Sequence, residues 1–402
     1  MAKYLTNTLE LTSIADAIRV KGGTSSPLTY PAGFISAIED ISVGGASEDL
    51  NAFIENHGTI TSFTRSVSTI GQGAFAYCEN LSAIDFPNCV TIESNAFADC
   101  YGLATISFPN CTEIGVSAFD FCSGLTSVYF PECLYIKGGA FSNCSNLTTL
   151  NFPKCVEISG TAFTRCRNIT SVSFPNCEKI YYGAFGYCYN LTTANFSNCI
   201  EISGHAFTGC SNLISIDFSN CEKIGSYAFS NCSKLLSVNF PKCSYMSDHA
   251  FYNCYSLTTA DFASCTIISD MAFMYCSDLS IISFPECSII GISAFTGCYN
   301  ITVADFPECS IIKSYAFTSC SNITMASFPN CASIESYAFH WCSSLSSLYL
   351  MGSSVPYLFS WTVFAGTPFN SNLGTIYVPS SLYNDYIVAS GWSAFSLRIV
   401  SV

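Results

Sequence analysis

From residue 71 onward the apolar positions trace a figure that repeats every 22 residues. One unit reads Ala96-Phe97-Ala98-Asp99-Cys100-Tyr101-Gly102-Leu103-Ala104-Thr105-Ile106-Ser107-Phe108-Pro109-Asn110-Cys111-Thr112-Glu113-Ile114. Ala96, Phe97, Cys100 and Leu103 fall at i, i+1, i+4 and i+7, a spacing that predicts one face of a short helical turn. The period then changes to two. Leu103, Ile106 and Phe108 point inward around a short strand, with Ser107 pointing out between the last two. Pro109 ends the strand, because a proline inside a hydrogen-bonded ladder removes a donor. Cys111 and Ile114 turn the chain back into the core.

The Ala-Phe pair is present in all thirteen units, from Ala74-Phe75 to Ala338-Phe339, and a second Phe precedes the proline position in all twelve places. Two stacked Phe columns are expected to supply most of the buried area. The cysteines keep the same beat. Thirteen run from Cys78 to Cys342 and twelve from Cys89 to Cys331, each set in steps of 22, which accounts for all 25. An odd count on core positions favours reduced thiols that pack as small hydrophobes. A disulfide ladder between neighbouring coils is within reach. A metal ladder fits less well, since one thiol per coil does not build a tetrahedral site. A grid this regular marks a stack in which each unit depends on its neighbours.

The pattern L-x-x-I-x-F-x-x-C-x-x-I, preceded by A-F-x-x-C-x-x-L, resembles the BspA-like leucine-rich repeats of bacterial and protozoan surface proteins. The resemblance covers roughly Gly71 to Gly352. It implies an α/β repeat solenoid: a right-handed leucine-rich-repeat array with one parallel β-sheet and short helical turns on the opposite side. It also implies a binding or adhesive role, with no enzymatic site in the repeat itself.

Four segments follow. Residues 1–42 form a small helical module, with helices over Leu9 to Val20 and Pro31 to Ile41. Residues 43–51 are a linker. The solenoid spans 52–352, a degenerate first coil carrying Ala52, Phe53 and Asn56 and then the thirteen units. Residues 353–402 are a cap, expected because an open solenoid end exposes apolar surface and a free strand edge. There Leu373, Ile376 and Val378 repeat the strand pattern at an offset of 28 from Leu345. Ser380-Ser381 is predicted to cap a helix carrying Leu382, Tyr386 and Ala389, closed by Gly391-Trp392. Within the first segment, Leu11-Thr12-Ser13-Ile14-Ala15-Asp16-Ala17-Ile18-Arg19 with Tyr30-Pro31-Ala32-Gly33-Phe34 resembles a module of tail-associated proteins from phages and prophages of Gram-positive bacteria.

Composition sharpens this reading. Hydrophobic residues make up 50% and charged residues 10%, as a core that grows along one axis requires. The net charge of −14 opposes a nucleic-acid partner. No apolar run is long enough for membrane insertion. The first twenty residues contain no stretch of signal-peptide type. Localisation stays open, with a virion-associated or non-Sec cell-surface location favoured over the cytoplasm.

The outward strand position reads Asp85, Tyr129, Asn151, Asn195, Asp217, Asn239, Asp261, Asp305 and Tyr349, with serines between. This polar strip is either a binding face for a protein or carbohydrate ligand or a sheet face that needs only solvent. Tyr181, Tyr182, Tyr187 and Tyr189 form an aromatic patch, for sugar or protein contact or for shielding the turns below. His205 and His249 share one repeat position two coils apart, about 10 Å, and His57 and His340 are remote from them. Asp217, Asp261 and Asp305 are likewise too far apart to share a proton. With no nucleophile, phosphate-loop or metal motif, no catalytic residue, cofactor or metal is assigned. The expected function is non-enzymatic recognition of a protein or glycan on a cell surface through an extended solenoid face. The alternative is a structural spacer or scaffold of a phage tail or prophage particle docked by residues 1–42, for which a homo-oligomer is expected.

Overall fold

The computed structural model describes residues 62–64, 66–371 and 373–402; the module 1–42, the linker 43–51 and the Ala52-Phe53 start of the first coil lie outside the described residues. The chain divides into two compact units, Met1–Asn151 and Phe152–Val402. In the first, the three-residue strands Thr105–Ser107, Ser127–Tyr129 and Thr149–Asn151 pair in parallel. On a second side of each coil, the two-residue strands Thr69–Ile70, Thr91–Ile92, Glu113–Ile114 and Tyr135–Ile136 make their own parallel ladder. The second unit repeats both ladders, with Ser171 level with Thr193 and Lys179 level with Glu201. Ser62–Thr64 pairs with Ala83–Asp85 at a 21-residue offset, so the coil before the array departs from the 22-residue register.

The parallel-strand solenoid expected from the repeat is therefore what the chain builds, and its opposite side takes a different local form. The Ala-Phe segment is not helical. Its amides alternate: Ala98 N–H bonds the Asn95 carbonyl three residues back, while Phe97 and Asp99 donate to Ala118 and Asp120 of the next coil. Helical bonding to i−4 is impossible when every second donor leaves the coil. The backbone matches this. In all thirteen units the residue before the Ala-Phe pair and the second residue after its Phe have positive φ, 26 positions of which five are glycine. The apolar i, i+4, i+7 spacing comes instead from consecutive tight turns.

The two Phe columns are as expected. In the second unit Phe185, Phe207 and Phe229 stack with centroids 5.3 Å apart. Phe196 meets Phe207 edge to face at 5.9 Å. Both columns are fully buried there. All 25 cysteines are free and buried. Thiols of the first set donate to a Phe carbonyl of the preceding coil, as Cys210 Sγ does to Phe185 O at 3.1 Å. Those of the second set donate within their own coil, as Cys199 Sγ does to Glu201 O at 3.3 Å. The prolines also gain a partner: the Asn176 amide donates to the Pro153 carbonyl at 2.8 Å, tying one coil to the next.

At the C-terminal end Ser347 is level with Thr375, the 28-residue offset read from the sequence. A further strand, Ile399–Ser401, pairs with Thr375–Val378. Phe364 continues the column beyond Phe339 at 5.8 Å. Tyr386 and Trp392 are fully buried, and the Trp392 indole N–H donates to Pro356 O at 2.8 Å. The helix Tyr383–Val388 is preceded by a 3-10 turn, Ser380–Leu382, and has no side-chain cap. Ser380 was expected to cap it. Its hydroxyl is instead drawn to the Val402 carbonyl at 3.1 Å, because the last strand lies beside it.

Candidate functional site

The long-strand face carries the outward residues. Within the first unit Asp85, Tyr129 and Asn151 are exposed, with Tyr129 level with Asn151. Within the second, Asn195 is level with Asp217 and Asn239 with Asp261. Asp305, Ser327 and Tyr349 follow one another on successive coils. Register alone sets this alignment: with a period of two along each strand, the residue between two buried neighbours must face out. Asp217 accepts a bond from the Ser219 amide at 3.3 Å and otherwise faces solvent. Asp217, Asp261 and Asp305 remain two coils apart and do not form a carboxylate pair. Tyr349 is half-buried, because its ring stacks on Tyr377 at 4.5 Å.

Beside the polar strip lies a column whose apolar part was not anticipated from the sequence. Two residues before the outward position stand Ile281 and Val303, 63% and 39% exposed. The face therefore offers carboxylates and amides next to aliphatic surface over these coils. The signal was in the chain, since Ser and Thr give way to Ile281, Val303 and Met325 in one column.

The tyrosine patch resolves into separate contacts. The Lys179 ammonium sits 4.8 Å from the Tyr181 ring centre and the Arg167 guanidinium 5.8 Å from that of Tyr189. Tyr187 and Tyr189 are 6.2 Å apart. Tyr182 leans on His205 at 5.1 Å. Tyr187 is held on its other side: a Cβ at Gly209, where φ is +74°, would lie 2.8 Å from the Tyr187 ring.

The histidines, two coils apart along the repeat, are bridged by a ring. Tyr227 stacks on His205 at 4.9 Å and on His249 at 4.4 Å, with interplanar angles of 9° and 16°. The Thr208 hydroxyl donates to Tyr227 O at 2.6 Å. Its oxygen must then accept from His205 Nδ1 at 3.2 Å, which fixes that tautomer. Tyr252 replaces this threonine beside His249, whose Nδ1 has no partner. Partial burial lowers the pKa of both rings. Equal spacing in the repeat signalled the column, but not that the rings turn toward each other at left-handed positions. The hydroxyl against His205 gives its proton to the Tyr227 carbonyl and faces a protonated Nδ1, so the imidazole does not act as its base. Among the described residues no group of His, Cys, Asp or Glu is arranged to hold a metal ion, and no helix is long and apolar enough to cross a membrane.

The chain is similar in fold to a leucine-rich repeat protein from Bacteroides ovatus ATCC 8483, at 20% identity over 86% of this chain and 85% of that one, with a TM-score of 0.54. It is less similar to a leucine rich cell surface protein from Faecalibacterium prausnitzii A2-165, at 20% identity over 74% and 88% of the two chains and a TM-score of 0.33. The pneumococcal vaccine antigen PcpA matches at 16% identity over 85% and 79%, with a TM-score of 0.38. No curated protein sequence matches the chain. The BspA type Leucine rich repeat region (6 copies) matches residues 49–169, 156–280 and 266–385, and so does not reach residues 1–42, whose likeness to phage tail-associated proteins gains no support. With coil, core and cap accounted for, the chain belongs to the BspA-type leucine-rich repeat family.

Proposed function

We infer that the chain is a non-enzymatic recognition protein that binds a protein or glycan on a cell surface through its long-strand face. The observation that supports this most is the fixed outward register of Asn195, Asp217, Asn239, Asp261 and Asp305, all exposed. A rigid row of acceptors with aliphatic neighbours suits a basic or hydroxyl-rich partner through charge complementarity and hydrogen bonds. In the interior the Phe rings stack on one another and the buried thiols donate to backbone carbonyls.

The test is retention from bacterial or host cell envelopes by wild type and by Asp217→Lys/Asp261→Lys/Asp305→Lys. Outward substitutions carry little packing energy, so the variant keeps its fold. Loss of retention supports the reading. Equal retention, with loss on deleting residues 1–42, overturns it and moves the activity to the N-terminal segment, as a docked particle component requires.

A further inference from the structure

Three aromatic side chains point away from the core in one stretch of the last coil, which runs from the short strand Tyr357–Leu358 into the 3-10 turn Trp361–Phe364. Tyr357, Phe359 and Trp361 are 61%, 53% and 59% exposed, while Leu358 between them turns inward at 3%. The segment is fixed from below. The Tyr357 amide donates to Ala332 O at 2.8 Å and that of Phe359 to Ile334 O at 3.1 Å. Ser360 then caps the following turn, accepting from the Thr362 amide at 3.2 Å. Tyr357 and Phe359 meet edge to face at 4.9 Å, so their planes are set. Adjacent exposed aromatic rings on rigid backbone have the composition of an interaction hot spot.

Charge identifies the occupant. Between residues 243 and 402 two basic residues, Lys313 and Arg398, stand against nine acidic ones, leaving −7, half of the chain's −14. Lys313 is itself engaged by Asp270 at 3.8 Å. Elsewhere the protein supplies its own cations to its rings, Lys137 over Tyr135, Arg167 over Tyr189 and Lys179 over Tyr181. Among the described residues no lysine or arginine lies over Tyr357, Phe359 or Trp361. Electron-rich ring faces thus stand uncapped in a stretch of chain that carries half of its net negative charge. We propose that Tyr357, Phe359 and Trp361 form a docking site for an arginine-bearing basic segment of another protein. Guanidinium is the cation that stacks best on such rings. A second copy of this chain is a poor occupant, because its C-terminal region carries the same negative charge. The site lies on the short-strand ladder, where Tyr357 is level with Ser333. It is separate from the long-strand face, so the two readings stand or fall apart.

The experiment follows the fluorescence anisotropy of a labelled peptide of alternating arginine and glycine on the full chain, at low and at physiological salt. Lysine-glycine and serine-glycine peptides are run alongside. The arginine peptide should bind more tightly than the lysine peptide, and the serine peptide should not bind. Phe359→Ser/Trp361→Ser, which leaves the net charge unchanged, should weaken arginine-peptide binding by about tenfold or more. Trp361→Phe, which keeps a ring, should retain most of it. Circular dichroism and the melting temperature establish that the variants are folded. Arginine-peptide binding unchanged in the double variant would mean diffuse attraction to the acidic surface and would overturn the proposal. So would equal binding of the serine peptide, which would indicate an uncharged ligand, or no binding by wild type.

Discussion

A buried thiol costs nothing while it stays protonated, and here burial keeps it so. Desolvation pushes Cys78 from its ordinary 9.0 to about 12, and Cys89 to about 11. The native thiols therefore hold their protons at a pH where an unfolded chain loses them. Above pH 9 the unfolded state binds fewer protons, so stability is intact below that value and falls as pH rises toward 11 to 12. Each thiol contributes up to about 1.4 kcal/mol of loss per pH unit across its window. With thiols raised in this way along the stack, Cys210 and Cys232 among them, denaturant midpoints should drop steeply above pH 9, and a Cys210→Ala/Cys232→Ala variant should show a shallower drop. A flat profile to pH 11 would mean that the thiols are not shielded. Native protein should also react with few thiols and unfolded protein with all of them, read by a thiol-specific dye and mass spectrometry. Burial of the cysteines is legible in their spacing alone, because a residue that recurs only at core positions is part of the core. The histidine column was only half legible: its spacing was visible, but ring direction depends on backbone dihedrals that the residue types do not announce.

Phe196 and Phe207 each belong to a column that links successive coils, so their loss is felt across two interfaces. Truncating either to Ala should cost roughly 3–5 kcal/mol by chemical denaturation. A loss below about 1 kcal/mol would place the rings outside the packed interior. The turn segments carry the opposite opportunity. Met271 sits at φ +54°, where a side chain is disfavoured. Met271→Gly should stabilise by about 1 kcal/mol or less, the left-handed penalty being offset by glycine's greater freedom when unfolded. Gly209→Ala should destabilise, since its Cβ would press on the Tyr187 ring. Thermal melts of the two variants, moving in opposite directions, are the check. These segments are also where the sequence misled. Alternation at i, i+4, i+7 is shared by a helix and by linked tight turns. What separates them is where the amides go, and residues such as Tyr227 or Trp341 at left-handed positions give no warning of it. The long strands and the proline stops were legible because period two and a missing donor each have one interpretation.

For the molecule as a whole, the cap matters more than its length implies. Tyr386 and Trp392 meet at 5.4 Å beneath the last strand and close the apolar end of the stack. Trp392→Ala should remove about 3–5 kcal/mol, lower the melting temperature and raise binding of a hydrophobic dye, because the end coil is uncovered. An unchanged melt would assign the closure to other residues. The alternating amides of the turn segments have a mechanical consequence. Together with both strand ladders, they make every coil-to-coil bond run along the stacking direction within each unit, so tension along that direction loads them end on and one layer at a time. A coil that peels away frees 22 residues, roughly 70–80 Å of extended chain, in place of about 4.8 Å of stack. Pulled along that direction, the coils within a unit should give way in a train of even steps, so that the stack yields length under load the way a shock absorber does.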